Sequence, residues 1–253
     1  MNSKRLPEAT RGRALERGYS MIELSVALMV ALFLLTGMFT ILQGTRNTSQ
    51  NQNLLAQLQD EERVAMTMMA DVVQLSGYFP NASTIDPTTA LPTSTAFTTA
   101  GQAIAGTTDS SGNDSVSVRY QGDSTNSVFD CQGTTIGNGT LEEMTFSIAA
   151  GPNNSKQLIC TVNNNPIPLV QNVTSMTVLY GVDANGSGSP NAYLSASNMT
   201  GLWANVYTVK LTLTFTNPLY GQPGQTAAAA KTISFSRVIG IMSRAGANAA
   251  NFY

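Results

Sequence analysis

Arg17-Gly18-Tyr19-Ser20-Met21-Ile22-Glu23-Leu24 joins a basic N-terminal segment to an apolar one. From Leu24 to Leu42 the chain has no charged residue. A run of about 20 apolar residues is long enough to cross a bilayer as a helix. Glu23 is the one charge at its mouth. A carboxylate carried to the bilayer centre costs about 2.5–3.5 kcal/mol, so this residue calls for a partner. The stretch reads as a site as well as an anchor.

The 253 residues suffice for one anchor and one globular domain, or at most two small ones. Five of the 13 basic residues (Lys4, Arg5, Arg11, Arg13, Arg17) lie in 1–18, with two of the 15 acidic ones (Glu8, Glu16). The remainder therefore has a net charge of −5, and its polar surface is mostly Thr, Ser, Asn and Gly. It lacks the basic patch that nucleic-acid binding requires.

Function classes fall away on the same grounds. The chain has no histidine, which removes the commonest general base and metal ligand. There is no CxxC, P-loop or Gly-x-Gly-x-x-Gly motif. Glu142-Glu143 is a carboxylate pair, but neighbours on a strand point to opposite faces. No catalytic residue, metal site or cofactor is expected. Asp183-Ala184-Asn185-Gly186-Ser187-Gly188 has oxygens at alternating positions, like half a calcium loop. Without a third acidic ligand or the closing Glu it reads as a Gly-rich turn. The two cysteines, Cys131 and Cys160, both follow the apolar run. Two cysteines in an exported domain usually pair. The alternative is two buried thiols.

Three readings compete for residues 1–42. A cleaved signal peptide needs a shorter apolar region, about 7–15 residues, ending at small residues. A plain single-span anchor fits the length but leaves Glu23 and the junction at Gly18 unexplained. The third reading covers both. Gly18, an aromatic Tyr19, Ser20, two apolar residues and Glu23 resemble the class III leader of type IV pilin-like proteins, in which Phe usually stands where Tyr19 does. The resemblance implies cleavage after Gly18 by the prepilin peptidase and N-methylation of Tyr19. It also implies that Glu23 neutralises the N-terminal amine of a neighbouring subunit during assembly. The basic flank places residues 1–18 in the cytoplasm and the rest, from Arg46 on, across the inner membrane.

After Leu42 the chain turns polar without a proline, so the helix continues. Leu54, Leu55, Leu58, Ala65, Met68, Met69, Val72 and Leu75 form one apolar face of an amphipathic helix. Gly77 and Pro80 end it. Unbroken from Tyr19 to Ser76, it would measure about 87 Å. Residues 80–112 are rich in Thr, Ser, Ala and Pro and read as a long loop or an insertion carrying short irregular elements, solvated rather than adhesive.

Strand signals follow at 116–120, 144–148, 157–162, 173–180, 206–215 and 232–236. Their alternation gives each strand one wet and one buried face. The expected fold class is α+β, a pilin-like fold with a long N-terminal helix packed on an antiparallel sheet. The expected divisions are a leader at 1–18, a membrane-spanning half-helix at 19–45 and an amphipathic half at 46–78. A loop at 79–112 and a β-rich head at 113–253 complete the chain.

The turn Ser76-Gly77-Tyr78 resembles PilW-type minor pilins, and so do Phe129-Asp130-Cys131-Gln132-Gly133, Leu158-Ile159-Cys160 and Gly201-Leu202-Trp203 with the strand after it. That resemblance runs from Gly18 to about Arg244 apart from the 80–112 loop. It implies a structural subunit that primes or caps a type IV pilus. The implied partners are other minor pilins, the major pilin, the inner-membrane assembly platform and a tip adhesin. A J-type minor pseudopilin of type II secretion and a pilus-tip adhesin or DNA-uptake module remain the alternatives.

Overall fold

The computed structural model of the protein describes residues 18, 20–123, 125–222 and 230–245. The leader residues 1–17, Tyr19 and the tail from 246 lie outside the described residues. The chain divides into two compact units, Met1–Gln50 and Asn51–Tyr253. One helix, α1 (Met21–Gln74), runs through 54 residues without a break. Gly37 and Gly44 are tolerated inside it.

In the second unit α1 buries Leu58, Ala65, Met66, Met69, Ala70, Val72 and Val73. This is the apolar face anticipated from spacing, though Leu54, Leu55, Met68 and Leu75 are only half-buried. The helix stops where Gly77 takes φ +78° and its N–H donates to Arg119 O at 2.9 Å. Only glycine adopts that conformation without cost. Nothing larger fits there, because an added Cβ would press on Ala103 and Ser243.

The head differs from the expectation of a single sheet. It contains two antiparallel sheets, and the helix packs on both. The first has the order β1-β2-β3-β4-β5. Its strands are β1 (Ile104–Thr108), β2 (Asp114–Gln121), β3 (Leu141–Ala150), β4 (Lys156–Val162) and β5 (Asn165–Gln171). The second has the order β7-β6-β8-β9, from β6 (Val173–Val182), β7 (Ala192–Leu194), β8 (Val206–Thr216) and β9 (Thr232–Gly240). Val118, Tyr120, Met144 and Phe146 of the first sheet, Met176, Val178, Leu211 and Leu213 of the second, and Met66 and Met69 of α1 form one core. Burying each such side chain contributes about 1.5–3 kcal/mol.

Two contacts lock the sheets together. Asp114 of β2 is buried, and its carboxylate accepts the backbone N–H of Val178 in β6 at 2.8 Å. Tyr180 of β6 lies over β1, its hydroxyl 3.4 Å from the carbonyls of Ala105 and Ser115. Gly106 makes this possible, since a Cβ there would overlap the Tyr180 hydroxyl. Burial pushes the Tyr180 phenol far above its ordinary value, with the Asp114 charge adding to the effect.

Residues 79–112 are not a solvated loop. They contain the short helix α2 (Pro87–Ala90) and β1, and they bury Leu91 and Phe97. The reason is Arg119 of β2. Its neighbours Val118 and Tyr120 face the main core, so alternation assigns Arg119 to a wet face. Instead it is completely buried. Its guanidinium donates to the carbonyls of Gln102 (2.6 Å), Leu91 (3.1 Å), Thr99 (3.4 Å) and Pro92. It lies 4.4 Å over the Phe97 ring and 3.5 Å from Glu143 across the strand pair. The segment wraps the arginine with backbone oxygen, and Phe97 closes the lid of the site. Burial lowers the Arg119 pKa, and Glu143 partly restores it.

Arg119→Ala strands those carbonyls in a dry site and leaves the half-exposed Glu143 carboxylate without its cation. It is expected to cost about 3 kcal/mol or more, with Arg119→Lys intermediate. Urea unfolding of the detergent-solubilised protein measures this. A loss below about 1 kcal/mol would mean the 79–103 segment is held by other contacts.

Candidate functional site

The start of α1 is built by Ser20. Its carbonyl accepts Leu24 N–H at 3.1 Å as the first intrahelical bond, and its hydroxyl accepts Ile22 N–H at 3.4 Å, so one otherwise orphaned amide is met. Glu23 sits in the first turn of α1, where the helix dipole favours a carboxylate. Gly18 is exposed, with open space around it. Tyr19, the residue expected to follow the cleavage and to carry the methyl group, lies outside the described residues.

From Met21 to Leu42 every side chain is exposed, Phe33 at 80% and Met29 at 74%. The segment is long and apolar enough to cross a membrane. Besides Glu23, its polar side chains are Ser25, Thr36 and Thr40. Each returns its hydroxyl to the carbonyl four residues back, at 2.9, 2.8 and 2.8 Å. Backbone and hydroxyls are therefore satisfied within the helix itself, as an apolar medium demands. Glu23 is left as the one polar group of the segment whose partner must come from elsewhere. Among the described residues it has no ion pair.

In the head, Cys131 and Cys160 are joined as a disulfide, both buried, with Cα atoms 6.4 Å apart. It ties the 130–134 turn to β4. The turn is shaped by Asp130, whose carboxylate accepts the N–H groups of Gln132 and Thr134, each at 2.8 Å. Closing a loop of sequence separation 29 stabilises the fold by roughly 3–4 kcal/mol in the chain-entropy model.

Glu142 and Glu143 point to opposite sides, as their adjacency requires. Glu142 accepts from Asn163 at 3.0 Å and Glu143 faces Arg119. The Asp183 carboxylate is consumed by its own turn, accepting the N–H groups of Gly188 (2.6 Å) and Ser187 (3.0 Å). These bonds shape the Gly-rich turn at 183–188. Among the described residues no three His, Cys, Asp or Glu gather as metal ligands do.

One feature had no sequence signal. A groove of about 490 Å³ opens beside the disulfide, between Met68, Val72 and Leu75 of α1 and Val128 and Phe129 of the facing loop. Its two charged lining residues, Asp71 and Asp130, are both acidic. Tyr78 closes one end, donating its hydroxyl to Asp123 at 2.6 Å. That bond comes first among the causes holding the Asp123 carboxyl down at about 2, with the Thr125 and Asn126 donors adding to it. The clue available was Tyr78 itself, placed directly after the helix-ending glycine.

The second half of the head has a counterpart among known families. Residues 145–237, from within β3 to within β9, match the PilW family, Type IV Pilus-assembly protein W. The match supports involvement of the chain in type IV pilus assembly. No curated protein matches the chain. The matched span is shorter than the resemblance read from the sequence. It contains Cys160 but neither Cys131, nor α1, nor the leader motif. The apolar N-terminal segment, which could span a membrane, and the PilW match over the later strands are thus separate observations.

Tyr78→Phe is expected to raise the Asp123 pKa from about 2 toward its ordinary 3.8. A carboxyl depressed in the folded state adds stability above the ordinary value and loses it as pH falls through about 2. The variant loses most of that contribution, which is in full force near neutrality, while the Asp123 charge there is unchanged. Carboxyl chemical shifts followed through an NMR titration check it. An unshifted midpoint would show that the Asn126 and Thr125 donors suffice alone.

Proposed function

We propose that this PilW-type chain is a minor pilin, a structural subunit of the complex that primes or caps a type IV pilus. It enters the inner membrane with residues 1–18 cytoplasmic and the head periplasmic. Prepilin peptidase cleaves after Gly18, and Tyr19 becomes the N-methylated first residue. The role is one of assembly and not of catalysis. The observation that carries this reading is the isolation of Glu23, the sole unmatched polar group of an otherwise self-satisfied apolar helix.

The physical chemistry of the step is a change of solvent. In the bilayer Met21–Leu42 is covered by lipid. In a filament it is covered by neighbouring helices, which gain little from hydrophobicity alone because lipid is equally apolar. Selectivity must come from polar matching. Cleavage creates an α-amino cation at residue 19, and Glu23 lies one helical turn beyond that position. A carboxylate on one subunit and an amine on the next, both in an apolar medium, attract far more strongly than they would in water.

The partners of this reading are the peptidase, the major and other minor pilins, and the inner-membrane assembly platform. The PilW-type head favours pilus assembly over the pseudopilin alternative. The net negative balance beyond residue 18 offers nothing to a DNA-uptake role.

Glu23→Ala is expected to be processed normally yet to leave cells without surface pili. Gly18→Val is expected to keep the leader, seen as an unshifted band on a gel. Normal piliation in the Glu23→Ala strain, scored by electron microscopy, would overturn the assembly role of this carboxylate.

A further inference from the structure

The two sheets of the head have four edges, and three are blunted. A free edge carries unpaired N–H and C=O groups and is a template for another strand, which natural proteins suppress. β7 has only three residues. β1 has five, and the 196–198 turn lies against it. β5 carries Pro166 and Pro168, and its register slips opposite Leu158 and Ile159.

Among the described residues β9 has none of these protections. It spans nine residues without a proline. It pairs with β8 from Thr208↔Gly240 to Thr216↔Thr232 with no register break. Its one charge is Arg237. The bonds Ile241 N–H to Tyr207 O and Asn217 N–H to Lys231 O fix the phase of the ladder. Odd-numbered residues bond to β8, so Thr232, Ser234, Ser236 and Val238 turn their backbone groups to the open side. Val238 is 52% exposed.

We propose that β9 accepts an extended segment of another pilus subunit as the fifth strand of this sheet. The proposal rests on the pilus reading above. Backbone chemistry requires an extended peptide, and the side chains of β9 define its character. One face must continue Ile233, Phe235 and Ile239 with apolar groups, and the other must continue the hydroxyls of Ser234 and Ser236. Arg237 is exposed on the apolar side, and among the described residues no carboxylate meets it. The incoming strand supplies an Asp or Glu opposite it. A second copy of this chain does not fit. Antiparallel self-pairing in full register would bring two Arg237 side chains onto one face as diagonal neighbours, about 7–8 Å apart.

The test uses the full-length chain at native level in its own host. A benzoylphenylalanine photocrosslinker replaces Val238 on β9 or, as a control, Ile167 on the proline-blunted β5. Position 238 is expected to form an adduct with another pilin-like subunit, identified by mass spectrometry, roughly tenfold more than position 167. Ser236→Pro, placed where the N–H is not used by β8, is expected to lower that adduct roughly tenfold and to reduce piliation. Protein level and the disulfide stay unchanged. If that variant does not accumulate, Arg237→Glu serves, with the adduct weakened and then restored by Lys at the partner's crosslinked carboxylate. Adducts confined to the chain itself or to a second copy, or a normal adduct in Ser236→Pro or Arg237→Glu, overturn the proposal. A deletion strain with normal pili removes the pilus reading and this proposal together. Lost pili on deletion with normal pili in Ser236→Pro removes this proposal alone.

Discussion

Helix α1 has apolar surface along both of its halves, and its second half is part of the head's own core. That constraint organises the molecule. The inner faces of two sheets cannot close on each other around β2, β3, β6 and β8 without the side chains the helix supplies. Ala65 and Ala70 are buried in that core with Met66 and Met69, whose flexible side chains suit irregular space. The second half of α1 is therefore core, and removing it would expose Val118, Phe146, Met176 and Leu213 together. The first half is a different case. Nothing among the described residues covers it, so its cover must be lipid or protein from outside the chain.

Within that uncovered half the polar groups sort themselves. Ser25, Thr36 and Thr40 are neutral and close their hydrogen bonds one turn back, which costs the helix little. A carboxylate has no such recourse. It needs a donor from outside the helix, and its position in the first turn places it beside the end where a new amine would form. A neutral hydroxyl at the same place would discriminate nothing, because it would be satisfied in every environment. The charge at Glu23 makes the segment's two possible surroundings unequal.

The sequence was most legible where periodicity was local. Strands β2, β3, β4, β6, β8 and β9 announced themselves by alternation, and α1 by its apolar face. The strands that escaped, β1, β5 and β7, are all sheet edges. Edge strands are short or carry Gly106, Pro166 and Pro168, residues that blur the strand pattern for the reasons that make them suitable edges. Arg119 escaped for another reason. Alternation says which face of β2 it occupies but not that a segment of some twenty residues folds back over that face. The requirement that a charge be solvated was met by carbonyl oxygens of that segment, an environment no local pattern encodes. The disulfide was legible from compartment and count. The groove beside Cys131 was not, since it arises from the gap between α1 and a loop more than fifty residues later in the chain.

The surface of the second sheet shows what such a head is suited to. Thr212 and Ser236 share a hydrogen bond at 2.8 Å across β8 and β9, and Thr214 and Ser234 share one at 2.9 Å. Hydroxyls paired with each other present a flat, neutral face that neither repels a like surface nor demands a counter-charge. A protein that works alone gains solubility from dense surface charge. A subunit that must lie against unlike neighbours is better served by neutral polar groups, because each fixed charge on a packed face needs its own partner or costs several kcal/mol when desolvated. The few charges that remain then carry the discrimination. Arg237 on the open edge and Glu23 at the helix start share this logic: each is a lone ionic group in a neutral setting, and each can be matched only by a chain that brings the opposite charge to one place.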